Sequence, residues 1–273
     1  MSTYHSPYRS HGTPYTSVLI ALVWLFHSTG CASESRPPER VPKTATKEVF
    51  RIGIAETAPP VIFEKGGHPA GIEVDLARKL ASALGKEIEF VSMFWPNLII
   101  ELRTQHIDIV MSGMSITPRR EKLVAFANPY LVIGQQAMIR ARDRSRLGTK
   151  DSIISNAIRA GVETGSTGEE YVLHNLPNAT RVSLPTLEKA AEALIDGKID
   201  AVVYDSPSIQ WLVAQRKGDG LMAVPGLLTR ESLAWAVHRE NTELLTAINH
   251  LLQQWKRDGT LERIISRWIP YPH

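Results

Sequence analysis

Residues 165–168 read Gly-Ser-Thr-Gly, where an apolar strand pattern over 158–163 gives way to a helical pattern running to about Asn175. Free backbone N–H groups and the helix dipole make such a turn an anion site, the alternative being a plain tight turn. No Lys-Ser/Thr pair ends the motif, which argues against a nucleotide-phosphate loop. Asp205 stands just before Ser206-Pro207, which opens a helix with Ser206 as N-cap and Pro207 at the first helical position. A carboxylate at 205 is then either a helix cap or a group that faces a ligand. Trp95 follows a strand and reads as core packing or as an aromatic wall. The sequence holds no HExxH, CxxC or GxSxG, and its nine histidines lack metal-ligand spacing, so neither a metal nor a cofactor is expected. Arg140, Arg142, Arg144 and Arg146 alternate along one stretch and read as a solvated face before a docking patch.

The elements that position these residues follow an alternating pattern. Phe50, Ile52 and Ile54 mark a first strand, and Leu76, Leu80 and Leu84 mark a helix over 73–84 that Gly85 stops. Glu87–Ser92 reads as a second strand, Pro96–Thr104 as a helix and Ile107–Ser112 as a third strand. Such a run predicts a parallel sheet covered by helices. A second unit begins after Met138, with strands over 158–163, 179–184 and 200–204 and a helix from Leu187 to about Asp196, closed by Gly197. The tail, Asn241–Trp268, carries two apolar stripes broken at Asp258-Gly259, which predicts a pair of helices packed on their own domain.

The chain has 273 residues, enough for two lobes, with a net charge of +3 and no long basic run, so nucleic acid is not an expected partner. Its one cysteine, Cys31, excludes an intramolecular disulfide framework and a cysteine-rich zinc site. Residues 18–26 are nine consecutive apolar residues, too few for a membrane span of about 20 and the size of a secretory signal core. Ser28-Thr29-Gly30 then lead directly into Cys31. This resembles the bacterial lipoprotein signal, with Ser28 in place of the usual aliphatic residue. The resemblance implies a cleaved segment 1–30, a lipid on Cys31 and a polar, proline-containing tether over 31–47. An ordinary signal peptide with an incidental thiol is the alternative. An acylated Cys31 places the protein at a membrane, in the periplasm or cell envelope.

Three stretches carry a wider resemblance: 58–76 (APPVIFEKGGHPAGIEVDL), 107–130 (IDIVMSGMSITPRREKLVAFANPY) and 200–208 (DAVVYDSPS). In that order and spacing they resemble the bacterial extracellular solute-binding proteins of family 3, the amino-acid-binding class, over about Val49 to Pro270. The resemblance implies a two-lobe α/β fold, the type II periplasmic binding protein fold, with two crossing strands and an interlobe ligand cleft. Crossings near 133–140 and 231–237 put lobe 1 at 48–137 plus 233–273 and lobe 2 at 138–232. It also implies a monomeric receptor that hands an amino acid or related small carboxylate to an ABC transporter permease.

In the Gly-x-Ser-Ile-Thr-x-x-Arg motif, Gly113 to Arg120, the family's arginine binds the ligand α-carboxylate. A guanidinium suits that task, being permanently charged and able to make two parallel bonds. The resemblance gives Ser115 and the Gly113 backbone contacts from the same loop, and Ser166 and Thr167 contacts to the carboxylate from the other lobe. It gives Asp205 the ligand ammonium and Trp95 the ligand side chain, while Arg119 reads as a solvated charge. The pattern departs at Ala55, where many members have an acid, and at Ala58, where they have an aromatic. An acid stands instead at Glu56, a further candidate ligand residue, although a one-residue shift along a strand reverses the face. Space at Ala58 suits a larger ligand. Two alternatives share the fold: a dehydratase acting on a prephenate-like acid, for which Glu163 and Glu56 are candidate acids, and a sensory module for a membrane partner.

Overall fold

The computed structural model describes residues 48–269. The signal segment, Cys31 and the tether to residue 47 lie outside the described residues. Two five-stranded sheets form the frame. The first runs in the order Glu87–Ser92, Val49–Ile54, Ile109–Val110, Ala236–Val237, Ala125–Phe126. Its first three strands are parallel, and Ala236–Val237 pairs antiparallel with both neighbours. The second sheet runs Thr180–Leu184, Arg159–Glu163, Ala201–Asp205, Gln135–Arg140, Leu221–Ala223, again with three parallel strands and then one, Gln135–Arg140, antiparallel to both its neighbours. The expected all-parallel sheets therefore acquire antiparallel members. Those strands belong to segments that enter or leave a lobe without a crossover helix, and only a crossover helix enforces parallel pairing.

Burial follows the periodicity. Phe50, Ile52 and Ile54 are buried, and the helix Ile72–Leu84 lays Leu76 and Leu80 into the core, with Gly85 closing it at φ +68°. The strand expected over 107–112 pairs only at Ile109–Val110. On either side, side-chain bonds add to the backbone ones: Asp108 accepts from the Arg51 backbone at 2.8 Å, and the Ser112 hydroxyl accepts from the Ala55 N–H at 2.8 Å. The segment after Glu87–Ser92 opens as a short 3-10 turn, Trp95–Asn97, before the helix Leu98–Arg103. The tail forms helices Thr242–Arg257 and Thr260–Trp268, broken at Gly259 (φ +73°), and buries Ile248, Leu252, Trp255, Leu261 and Ile264.

Two short strands, Leu131–Ile133 and Glu231–Leu233, pair antiparallel and join the sheets. The boundary expected at 137/138 falls inside the strand Gln135–Arg140, which pairs along its whole length in the second sheet. The passage between lobes therefore lies at 131–134. Gly134 is required there, because an added Cβ would sit 2.1 Å from the Thr229 carbonyl oxygen.

Candidate functional site

The site grows from the loop that follows the strand Ile109–Val110. Gly113 adopts φ +67°, a left-handed conformation that glycine reaches without strain. Its N–H donates at 2.9 Å to Glu73, a fully buried carboxylate that also accepts from the Tyr130 hydroxyl and Trp235 Nε1, each at 2.7 Å. The loop is thus pinned to the core of lobe 1, and the Gly113 N–H is committed to Glu73. Ser115 donates its hydroxyl at 2.6 Å to Glu231 on the crossing strand, while its backbone N–H has no protein acceptor among the described residues.

Arg120 follows in the turn Pro118–Glu121, which Thr117 caps by accepting from the Arg120 N–H at 3.2 Å. Its guanidinium is buried. One nitrogen donates to the Ser115 carbonyl at 2.8 Å, another reaches across to the Gly165 carbonyl of lobe 2 at 3.1 Å, and the group lies 5.2 Å from the Trp95 ring centre. Burial lowers the guanidinium pKa, opposed by Glu170, Asp205 and Glu231. Trp95 Nε1 also donates to the Gly165 carbonyl, at 3.1 Å. The indole therefore covers Arg120 and ties the lobes together. Arg119, read from sequence as solvated, stands 3.6 Å from Glu170 across the lobes. Both side chains are exposed, so this pair adds about 0–1 kcal/mol.

From lobe 2, Ser166 caps the helix Thr167–Asn175. Its hydroxyl accepts from the Glu169 N–H at 3.0 Å and donates to the Glu163 carbonyl at 2.7 Å. The Thr167 and Gly168 N–H groups have no protein acceptor among the described residues and sit at the positive end of that helix. Gln135, which the sequence did not single out, donates its side-chain N–H₂ to Thr167 Oγ1 at 3.1 Å and to Asp205 Oδ1 at 2.6 Å. Only the three-dimensional pairing reveals it, because glutamine at 135 lies in an otherwise ordinary strand.

Asp205, not Ser206, occupies the N-cap position of the helix Ser206–Gln215, yet its carboxylate makes no capping bond. Pro207 accordingly falls at the second helical position. Burial and then Glu231 push the Asp205 pKa up to about 7, while Gln135 and Arg120 pull the other way. Glu163 ends its strand nearby, accepts from the Tyr204 hydroxyl at 2.8 Å, and is raised by burial to about 7. Tyr204 also approaches the Thr57 carbonyl of lobe 1 at 3.2 Å.

These groups line one cleft, with Arg120, Ser115, Gly113, Trp95, Thr57 and Ala58 on one wall and Asp205, Glu163, Ser166, Thr167, Gln135 and Tyr204 on the other. Glu56 is not brought there. It turns outward and accepts from the Ser92 hydroxyl at 2.7 Å; it lies in a turn after the strand Val49–Ile54, where side-chain alternation has ended, and the adjacent Thr57 and Ala58 both line the cleft. The cavity left between the walls is about 20 Å³. The walls are drawn nearly shut, so entry of a small molecule requires the lobes to part. Among the described residues no cluster of His, Cys, Asp or Glu is arranged to hold a metal ion.

Residues 50–271 match the family described as bacterial extracellular solute-binding proteins, family 3. The chain is 27% identical over 229 residues to the L-cystine-binding protein of Escherichia coli, covering 83% of this chain and 85% of that one. It is 27% identical over 246 residues to the cyclohexadienyl dehydratase of Pseudomonas aeruginosa, covering 88% and 90%. An ancestral arginine-binding protein solved with arginine superposes with a TM-score of 0.77 at 30% identity, covering 82% of this chain and 99% of that chain. Its two α/β lobes, the strand pair that crosses between them and the cleft they enclose are the type II periplasmic binding protein fold, and the chain belongs to family 3 of the bacterial extracellular solute-binding proteins.

Proposed function

We propose that this protein captures an α-amino acid in the cleft and presents it to a membrane permease. The observation that carries the reading is that one buried guanidinium, Arg120, and one carboxylate, Asp205, face the same cleft from opposite lobes. Arg120, the Ser115 N–H and the N–H groups of Thr167 and Gly168 make a pole for the ligand carboxylate. Asp205, oriented by Gln135, makes a pole for the ammonium. Only the closed form satisfies both charges, so the ligand has the differential affinity that drives closure. The names of the cystine-binding and arginine-binding relatives support the ligand class. Calorimetric titration against the α-amino acids tests it: binding of at least one is expected, and binding of none sinks the reading.

A second reading rests on Glu163. A carboxyl kept protonated to about 7 in the cleft is the general acid that a dehydratase needs, and one relative carries that name. Its proton would pass to the departing hydroxyl of a prephenate-like acid as water and carbon dioxide leave and the ring becomes aromatic. Release of an aromatic keto acid from prephenate decides for this reading, and its absence removes prephenate dehydration.

The short apolar segment 18–26 and Ser28-Thr29-Gly30-Cys31 support export and lipidation at Cys31, and hence a membrane-tethered receptor acting as a monomer. Cys31→Ser is expected to move the protein from the membrane fraction to the soluble fraction of cells. Unchanged membrane retention would remove the anchor.

A further inference from the structure

We infer that the cleft holds a third binding position, at Glu163, which selects an amino acid bearing a second positively charged group on its side chain. This rests on the amino-acid reading above. Such a ligand uses Arg120 for its carboxylate and Asp205 for its α-ammonium, and those two charges cancel the two groups that bind them. Glu163 is then left over. It is 7% exposed and lines the cleft. The groups around it are hydroxyls and acids: the Tyr204 hydroxyl at 2.8 Å and the Thr57 hydroxyl, with the carboxylates of Glu188 and Asp205 adding negative potential. No Lys, Arg or His forms an ion pair with it among the described residues. An unpaired buried carboxylate is unfavourable by several kcal/mol unless it takes up a proton or a cation. Counting the charged groups on the cleft walls, Arg120 stands against Asp205 and Glu163, so the complementary ligand carries a net positive charge.

The surroundings give the cation a place and a consequence. Ala58 lines the cleft next to Thr57 and projects only a methyl. Tyr204 has one hydroxyl proton and faces Glu163 Oε2 at 2.8 Å, the Thr57 carbonyl at 3.2 Å and Thr57 Oγ1 at 3.4 Å. While Glu163 is ionised and unpaired, that proton is held within lobe 2. A ligand cation on Glu163 frees it for the Thr57 carbonyl, a bond between the lobes. The distal charge thereby contributes to closure as well as to selectivity.

The test is calorimetric titration of the wild-type protein at pH 7.5 with L-arginine, L-lysine and L-ornithine against the uncharged L-citrulline, L-glutamine and L-norleucine. At least one basic amino acid is expected to bind about tenfold or more tighter than its uncharged counterpart, a difference of about 1.4 kcal/mol. Glu163→Gln is expected to lower that preference to under about threefold, a difference of under 1 kcal/mol. Citrulline binding as tightly as arginine, or neutral amino acids binding alone, overturns the third position and leaves the amino-acid reading standing. Binding of no α-amino acid overturns both. The wild-type comparison holds whether or not the variant folds.

Discussion

Arg120→Ala is expected to weaken amino-acid binding by about 2–5 kcal/mol, or about 30-fold to several thousand-fold, because it strips a buried charge partner from the ligand carboxylate. The wild-type guanidinium is held ready by the Ser115 carbonyl at 2.8 Å and by the Trp95 ring 5.2 Å away. Little ordering therefore remains when the ligand arrives. The same group bonds to the Gly165 carbonyl of lobe 2 at 3.1 Å, so the variant also loses a bond that draws the lobes together. Arg120→Lys keeps the charge but not the planar fork or the stacking, and is expected to fall between wild type and alanine. Titration of all three proteins with one ligand measures this. Wild-type affinity in Arg120→Ala would remove Arg120 from the site.

Glu73→Ala is expected to destabilise the fold by about 3–5 kcal/mol. Three buried donors, the Gly113 N–H, the Tyr130 hydroxyl and Trp235 Nε1, share this carboxylate as acceptor, and each unsatisfied donor costs about 1–3 kcal/mol. Glu73→Gln keeps one oxygen for Gly113 and Tyr130 but turns an N–H₂ toward the Trp235 N–H, at a cost of about 1–3 kcal/mol. Chemical denaturation measures both, and a wild-type midpoint in Glu73→Ala sinks the assignment. The sign of the pH dependence follows from the same burial. Burial raises Glu73 from 4.5 to about 7, as it does Glu163 from 4.5 and Asp205 from 3.8. The folded protein then binds more protons than the unfolded chain between about pH 4 and pH 7, so the stabilising share is full below that window and is lost as pH rises through 7. The ligand-free wild type should melt at a lower temperature at pH 8 than at pH 5, and Glu73→Gln should flatten part of that slope. A melting temperature that rises over this range contradicts the burial argument.

Much of the site was legible because its residues carry local signatures. The motif from Gly113 to Arg120 holds its arginine on a capped turn, and Gly165–Gly168 opens a helix whose Thr167 and Gly168 N–H groups have no protein acceptor among the described residues. Asp205 stands where a strand gives way to a helix, so its place at the cleft follows from the end of the element. Glu56 misled because it lies in a turn beyond the strand Val49–Ile54, where alternation no longer sets the face, and its carboxylate takes the Ser92 hydroxyl instead. Ser206 misled as a cap because the helix begins one residue earlier than its composition suggests.

By itself the sequence determined the two α/β units and the stripes that pack the tail helices, which rest on periodicity that neighbours within about ten residues dictate. The family resemblance added the arginine and the aspartate that line the cleft. The tertiary structure alone decided that Gln135 aims Asp205, that Tyr204 stands between Glu163 and Thr57, and that Glu73 ties Gly113 to Trp235, a residue 162 positions away from Glu73. Those groups matter because burial removes water as their partner, and which partner replaces it is settled only when distant segments meet.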